Sequence, residues 1–170
     1  MSTAKVVLKV GNDISTDVIY PGRYMATVLP AETPQYAFAD LTEFNARLRK
    51  GEIPPHSVIV GGANFGCGSS REQAASTLRG HDLIIVAEGF SRIFQQNAIN
   101  LGLQIVSCPG IDASEGDELE FTESRVLNKT TGRQFDIVPW PAATRAIMEA
   151  GGLIPYTRLR LTGKAGAGPA

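Results

Sequence analysis

The sequence predicts a single α/β domain with a mixed sheet and flanking helices, and three observations support this. Continuously apolar segments of strand length alternate with segments of helical composition over residues 57–107, which is typical of parallel β-α-β units with buried strands. Segments that alternate apolar and polar residues follow over 118–138, which indicates antiparallel hairpins. The length of 170 residues suits one domain with its own core.

The first third opens with one strand. Lys5–Val10 is apolar and β-branched, and the turn residues 11–13 end it. Residues 14–23 are predicted to be a loop. Gln35–Lys50 carries apolar residues at helical spacing, which predicts one or two short helices ended by Gly51.

The middle third contains the β-α-β pattern. Strands are predicted at Ser57–Val60, Leu83–Ala87 and Gln104–Ser107. Helices are predicted at Ser70–Arg79 and Phe90–Asn100, the second with Ile93, Phe94 and Ile99 on its apolar side.

The last third predicts three hairpin strands, at Glu118–Phe121, Arg125–Leu127 and Gln134–Val138, with a turn at Lys129–Gly132. A closing helix is predicted at Pro141–Ala150, capped by Gly151-Gly152. We expect the domain to occupy residues 1–162 and residues 163–170 to be a disordered tail.

Charge and composition exclude several functions. The 16 Lys and Arg nearly balance the 17 Asp and Glu, and the net charge is -1. Binding to a phosphate backbone needs a basic surface, so we expect no nucleic-acid partner. The short N-terminal apolar stretch is too small for a signal peptide or a membrane span, so we expect a cytoplasmic protein without membrane contact.

The cysteines and histidines limit the metal chemistry of the chain. It has two of each, Cys67, Cys108, His56 and His81, without the close spacing of zinc or iron–sulfur ligands. No metal site is expected here, so a cluster that takes part must be held by another chain.

The most unusual segment is Asn64–Glu72, which is rich in glycine and serine and lies between a predicted strand and a predicted helix. Glycine lets a backbone approach a ligand closely, and a helix start offers free N–H groups to an anion such as a carboxylate. Arg71 adds a planar bidentate donor. Alternatively, Ser69 and Ser70 each fit a capping-box pattern and would only cap the helix. Cys67 is either a reactive thiol or, more simply, a small packing residue.

The predicted loop at residues 14–23 gives a weaker functional signal than the glycine-rich segment. Asp17 could form only local bonds to the backbone, or it could orient Arg71 or Arg23 across a cleft. Asn97 and Asn100 lie three residues apart on one predicted helix, and we expect their amides to be solvated or bonded to a nearby loop. Arg92 on the same helix is expected to be a surface cation.

Taken together, three segments carry a family resemblance. They are residues 11–25 (GNDISTDVIYPGRYM), 61–80 (GGANFGCGSSREQAASTLRG) and 89–110 (GFSRIFQQNAINLGLQIVSCPG). In order and spacing the chain resembles the small subunits of the aconitase superfamily, in particular those of 3-isopropylmalate dehydratases. The resemblance covers nearly the whole chain apart from the tail. It implies a swivelling β/β/α domain, like the mobile fourth domain of single-chain aconitases.

The resemblance also implies roles for residues. Ser69 would be the base that removes a proton from carbon, and Ser70 and Arg71 would bind a substrate carboxylate. Asp17 would lie at the edge of the site, and Asp17, Arg23 and Ala26 are further candidate substrate-binding residues. A large partner subunit would hold a [4Fe–4S] cluster, and this chain would hold none. A serine works as a base only as an alkoxide in a positive environment, which Arg71 and the helix start would supply.

The implied reaction is the isomerisation of 2-isopropylmalate to 3-isopropylmalate, in leucine synthesis, by a hydro-lyase active only with its large subunit. Ala26 stands where relatives that accept a further carboxylate carry arginine, and a small apolar residue suits an apolar branch. Residues 72–76 (EQAAS) differ from the E-H-A-P usual in these dehydratases and are closer to homoaconitases. Alternatives are a homoaconitase, a citraconate or dimethylmaleate hydratase, a thiol enzyme that uses Cys67, or a non-catalytic anion-binding domain.

Overall fold

A mixed seven-stranded sheet organises the structure, which is a computed structural model that describes residues 2–163. The strands, in chain order, are β1 (Ser2–Lys9), β2 (Val58–Gly61), β3 (Ile84–Ala87), β4 (Gln104–Ser107), β5 (Glu118–Phe121), β6 (Arg125–Asn128) and β7 (Gln134–Asp136). The α-helices are α1 (Thr16–Ile19), α2 (Thr42–Arg49), α3 (Glu72–Gly80), α4 (Arg92–Leu101), α5 (Ala142–Glu149) and α6 (Leu153–Leu161). Two 3₁₀ turns occupy Gly22–Tyr24 and Thr33–Tyr36.

The strand order is β4-β3-β2-β1-β5-β6-β7. Strands β1 to β4 are parallel, whereas β5, β6 and β7 form an antiparallel meander. Strand β1 joins the two halves. Its first residues, Ser2–Lys5, pair antiparallel with β5, and its later residues pair parallel with β2.

Each face of the sheet covers its own apolar core. In β2, Ile59 points to the core under the helices, while Val58 and Val60 belong to the second core. In β3, Ile85 likewise points to the core under the helices, while Ile84 and Val86 belong to the second core. Side chains of a strand alternate between faces, so a strand buried on both sides is apolar throughout.

The sheet curls around the second core. After β7, the backbone N–H of Val138 donates to the carbonyl of Ser107 at 2.9 Å. The indole of Trp140 donates to the carbonyl of Ile105 at 3.3 Å. Because both acceptors belong to β4 at the opposite end of the strand order, the chain after β7 covers that edge.

The predicted fold class is confirmed, and most predicted strands and helices are shifted by at most two residues. Strand β1 starts earlier than predicted because its first residues pair with β5, a contact distant in sequence. Helix α6 was not predicted, since its leucines and arginines alternate without an apolar face and none of its residues is buried. The expected burial of Ile93 is wrong: the residue is 50% exposed at the start of α4.

Two sequence expectations concern the ends of the chain and its environment. The expected tail lies outside the described residues except for Gly163, which follows α6 in a turn. Among residues 2–163, every helix is too short or too polar to span a lipid bilayer.

Candidate active site

The candidate site lies where the loops after β1, β2 and β3 meet. These strands are parallel neighbours, so their carboxyl ends share one edge of the sheet, which is where open α/β sheets bind ligands. We call the segments 10–16, 62–71 and 88–91 the first, second and third loops. The second loop is central, and both others bond to it.

Backbone hydrogen bonds pair residues 11–16 of the first loop with residues 62–67 of the second. Asp13 N–H donates to the carbonyl of Ala63 at 2.9 Å, Gly66 N–H to Ile14 at 2.7 Å, and Thr16 N–H to Cys67 at 2.8 Å. Side chains add two links, from Ala63 N–H to the Asn12 amide oxygen and from the Asn64 amide to the Asp13 carboxylate. This pairing fixes Thr16 opposite Ser69.

The third loop holds the second loop from the other side. The Ser91 hydroxyl donates to the carbonyl of Gly66 at 2.7 Å, and its N–H donates to the carbonyl of Phe65 at 2.9 Å. Gly66 has a φ of +82°, and a Cβ there would lie 2.2 Å from Cγ of Phe94. The glycine therefore permits both the left-handed turn and the close packing of α4.

Ser69 is exposed, but its hydroxyl contacts the buried hydroxyl of Thr16. The Ser69 Oγ lies 2.9 Å from Oγ1 of Thr16, and the Ser69 N–H donates to the same threonine oxygen at 3.2 Å. Thr16 itself is only 2% exposed. Thr16 belongs to the segment 11–25 that carries the family resemblance, but the sequence interpretation gave it no role.

Neither serine caps the following helix. Helix α3 begins after Arg71, and no side chain makes a capping hydrogen bond at its start. The capping interpretation of Ser69 and Ser70 is therefore wrong. Both serines precede the N-cap position Arg71, and Ser69 bonds to Thr16 of the first loop.

Arg71 is anchored beside the serines by a carboxylate and a carbonyl. Its Nη1 donates to Oδ1 of Asp17 at 2.7 Å and to the carbonyl of Tyr20 at 3.2 Å. The hydrogen bond from Arg71, with one from Gly22 N–H, holds the pKa of Asp17 below its usual 3.8. Of the two arginine partners considered for Asp17, the structure selects Arg71.

The Arg71 guanidinium keeps donors unused within the described part of the chain. Its Nε is buried and has no hydrogen-bond partner. Its hydrogen bonds to Asp17 and Tyr20 all come from Nη1. The Nε and Nη2 donors form one edge of the planar group, a geometry that matches a carboxylate, but Nε is closed to solvent in this structure and would have to be uncovered first.

The other predicted binding residues surround this centre. Arg23 forms a two-point ion pair with Asp40 and stacks over Tyr24, so it does not share the carboxylate of Asp17. Ala26 is exposed in the turn that follows. The Gln73 amide donates to the carbonyl of Met25 at 3.3 Å, which links this turn to α3.

Ser70 is also exposed, and its carbonyl accepts a 3.4 Å hydrogen bond from the amide of Asn97 on α4. This bond assigns Asn97 to the support of the second loop. A groove of about 420 Å³ runs along α3, lined by residues that include Val28 and Gln73, but Ser69 and Arg71 do not line it. Ser69 and Ser70 therefore lie on open surface, whereas the Arg71 side chain is only 18% exposed.

The residues of this chain do not fit an iron–sulfur cluster. Cys67 is half-buried in the second loop, whereas Cys108 is buried in the second core. Burial raises the pKa of the Cys108 thiol to about 11, which opposes metal binding. His56 lies beside Asp82 and His81 beside Pro34. Residues 2–163 contain no group of three His, Cys, Asp or Glu that could hold a metal ion.

Known proteins match the chain over most of its length. The aconitase C-terminal domain family matches residues 14–109, which include the second and third loops and residues 14–16 of the first. The 3-isopropylmalate dehydratase small subunit of Ruminiclostridium cellulolyticum is 39% identical over 95% of this chain and all of its own length. The isopropylmalate/citramalate isomerase small subunit of Methanocaldococcus jannaschii is 41% identical over 91% of this chain and 93% of its own length.

A solved structure agrees with these relatives. The crystal structure of a 3-isopropylmalate dehydratase from the same Methanocaldococcus species superposes with a TM-score of 0.84 at 31% identity, covering 98% of both chains. The resemblance drawn from the three sequence segments is thereby confirmed. The chain belongs to the aconitase C-terminal domain family, among the small subunits of 3-isopropylmalate dehydratases.

Proposed function

We propose that this chain is the small subunit of a two-subunit hydro-lyase that interconverts 2-isopropylmalate and 3-isopropylmalate in the cytoplasm. The observation that carries the proposal is that one loop holds both Ser69, which is exposed and bonded to Thr16, and Arg71, whose side chain is anchored by Asp17 and Tyr20. The two free cysteines suit a reducing compartment.

Ser69 is the proposed base. Removal of a proton α to a carboxylate places negative charge on that carboxylate, so donors must face it. Arg71 supplies the Nε and Nη2 edge, and the uncapped start of α3 supplies N–H groups and the positive end of its dipole. A buried donor without a partner costs about 1–3 kcal/mol. A substrate carboxylate would remove that cost after a movement of the loop that uncovers Nε, which is closed to solvent in this structure.

The remaining residues have supporting roles in this proposal. Asp17 orients Arg71, Ser70 contacts a substrate carboxylate, and Arg23 lies at the rim, where Asp40 balances its charge. Ala26 leaves space for the apolar branch of the substrate. Citramalate also has an apolar branch, and the Methanocaldococcus relative is named for both substrates. A 2-alkylmalate with a shorter branch is therefore the second candidate.

The site needs a second surface. Ser69 and Ser70 are exposed, and a base that acts on a carbon acid requires a site from which water is excluded. We propose that the large subunit covers the three loops. Aconitase-family hydro-lyases are generally iron–sulfur enzymes, and since the residues here do not fit a cluster, the large subunit is the proposed holder.

The test uses the chain assembled with the large subunit of the same organism. Conversion of 2-isopropylmalate is expected only from the pair. Ser69→Ala should lower kcat by at least about 100-fold, the contribution of a positioned base. The matched Ser70→Ala variant should raise KM more than it lowers kcat. Turnover by this chain alone, or near-normal kcat in Ser69→Ala, would contradict the proposal.

A further inference from the structure

We infer that Thr16 is a positioning residue for the reaction: its buried hydroxyl donates a hydrogen bond to Ser69 Oγ and stabilises that oxygen when it loses its proton. The inference rests on the proposed function, because it assigns Thr16 a part only if Ser69 is the base.

The direction of this hydrogen bond follows from counting donors. Thr16 Oγ1 already accepts the N–H of Ser69 at 3.2 Å, and it lies 2.9 Å from Ser69 Oγ. The threonine hydroxyl has one proton, and a buried hydroxyl proton needs an acceptor. Within residues 2–163, Ser69 Oγ is the acceptor that this hydroxyl meets. Thr16 is therefore the donor, and the proton of Ser69 is left to point outward from its exposed side chain.

This arrangement favours the deprotonated serine. A hydrogen bond donated to an oxygen strengthens when that oxygen becomes an anion, and it lowers the pKa of the group that loses the proton. Because Thr16 is only 2% exposed, water competes little for its hydroxyl. The exposed Ser69 thus has one donor that is shielded from solvent.

The backbone prevents Thr16 from turning away. Its N–H donates to the carbonyl of Cys67 at 2.8 Å, and its carbonyl accepts the N–H of Tyr20 at 2.8 Å. A β-branched side chain has few χ1 rotamers, so a fixed backbone also fixes the hydroxyl. Thr16 is joined to the second loop through its backbone and its side chain.

A purely structural role predicts a different result. If Thr16 only held the second loop through the Ser69 N–H, its loss would cost stability without changing the titration of the base. Thr77 offers a matched control. It is fully buried on α3, and its hydroxyl donates to the carbonyl of Thr33 at 2.7 Å, so Thr77→Val also removes one buried hydrogen bond.

The experiment compares Thr16→Val, Thr16→Ser and Thr77→Val in the enzyme assembled with its large subunit. We expect Thr16→Val to lower kcat by about 100-fold, the loss typical of removing one donor to a developing anion, with KM changed much less. The pH at which kcat reaches half of its maximum should move upward, because the base loses its proton less readily. Thr16→Ser, which keeps the hydroxyl, should restore most of kcat.

The controls separate the possible failures. Thr77→Val should keep the wild-type kcat and pH profile. If Thr16→Val does not assemble, Thr16→Ala repeats the comparison. Equal kcat and equal pH profiles in Thr16→Val and Thr77→Val would overturn the role of Thr16, while an inactive Ser69→Ala would leave the proposed function standing. A fully active Ser69→Ala would instead remove the proposed function itself.

Discussion

Gly66 is the position where one added methyl group should damage both the fold and the site. Its φ of +82° is a left-handed conformation that alanine adopts only with strain. An alanine Cβ would also lie 2.2 Å from Cγ and 2.5 Å from Cβ of Phe94. Phe94 is 1% exposed in the core, so it has no free space into which it could move.

The expected loss of stability has two parts. The left-handed conformation costs an L-residue about 1–2 kcal/mol. Overpacking of a filled core adds about 1–3 kcal/mol. Gly66→Ala should therefore lower the free energy of unfolding by about 2–5 kcal/mol. For a chain of this size, each kcal/mol lowers Tm by roughly 2–4 °C.

Gly110→Ala is the matched control for the strain alone. Gly110 has a φ of +74°, close to that of Gly66, but no atom lies within 4 Å of its added Cβ. Denaturant unfolding of wild type and both variants gives the two costs separately. The difference between them is the contribution of the contact with Phe94.

The same substitution should reduce activity. Gly66 donates to Ile14 and accepts from Ser91, so its displacement moves the loop that carries Ser69. A shift of about 1 Å in a catalytic group can cost about 100-fold in rate. In the assembled enzyme we expect a clear fall in kcat for Gly66→Ala and none for Gly110→Ala. Equal destabilisation by the two variants would refute the packing argument.

Three further predictions concern the binding residues. Arg71→Lys should raise KM and lower kcat, because an ammonium group cannot reproduce a planar two-point contact with a carboxylate; unchanged steady-state kinetics would contradict this role. Asp17→Asn should have a lower free energy of unfolding than wild type at neutral pH. Because the pKa of Asp17 is lowered in the fold, this difference in free energy should shrink as the pH falls below about 4 and Asp17 becomes protonated. Urea unfolding of both proteins at a series of pH values measures this difference in free energy. A difference that does not change with pH would count against the Asp17–Arg71 ion pair. Ala26→Arg should lower the ratio of kcat/KM for isopropylmalate to kcat/KM for homoaconitate. The reason is that a distal carboxylate without a paired cation is costly in a closed site, whereas an apolar branch gains about 0.8 kcal/mol for each buried CH₂. An unchanged ratio would mean that Ala26 does not select the substrate.

Much of the fold could be predicted because its signals are local. The segments around Ile59 and Ile85 are apolar at every position, which marks strands buried on both faces. The loop around Gly68 could be located because its glycine and serine residues are unusual within a helix or a strand. Helix α6 could not be predicted, because alternating leucine and arginine give no apolar face. The exposure of Ile93 depends on the loops beside it and has no local signal.

The sequence by itself determined the family, the two halves of the sheet and the loop that displays Ser69 and Arg71. Only the tertiary structure decided how these groups are held. It showed that Ser69 does not cap α3, that Asp17 pairs with Arg71 and not with Arg23, and that Thr16 lies under Ser69. The physical reason is that Thr16 and Ser69 are 53 residues apart, and parallel pairing of β1 with β2 brings their loops together. Composition records which groups are present, but only the register of the strands fixes which of them touch.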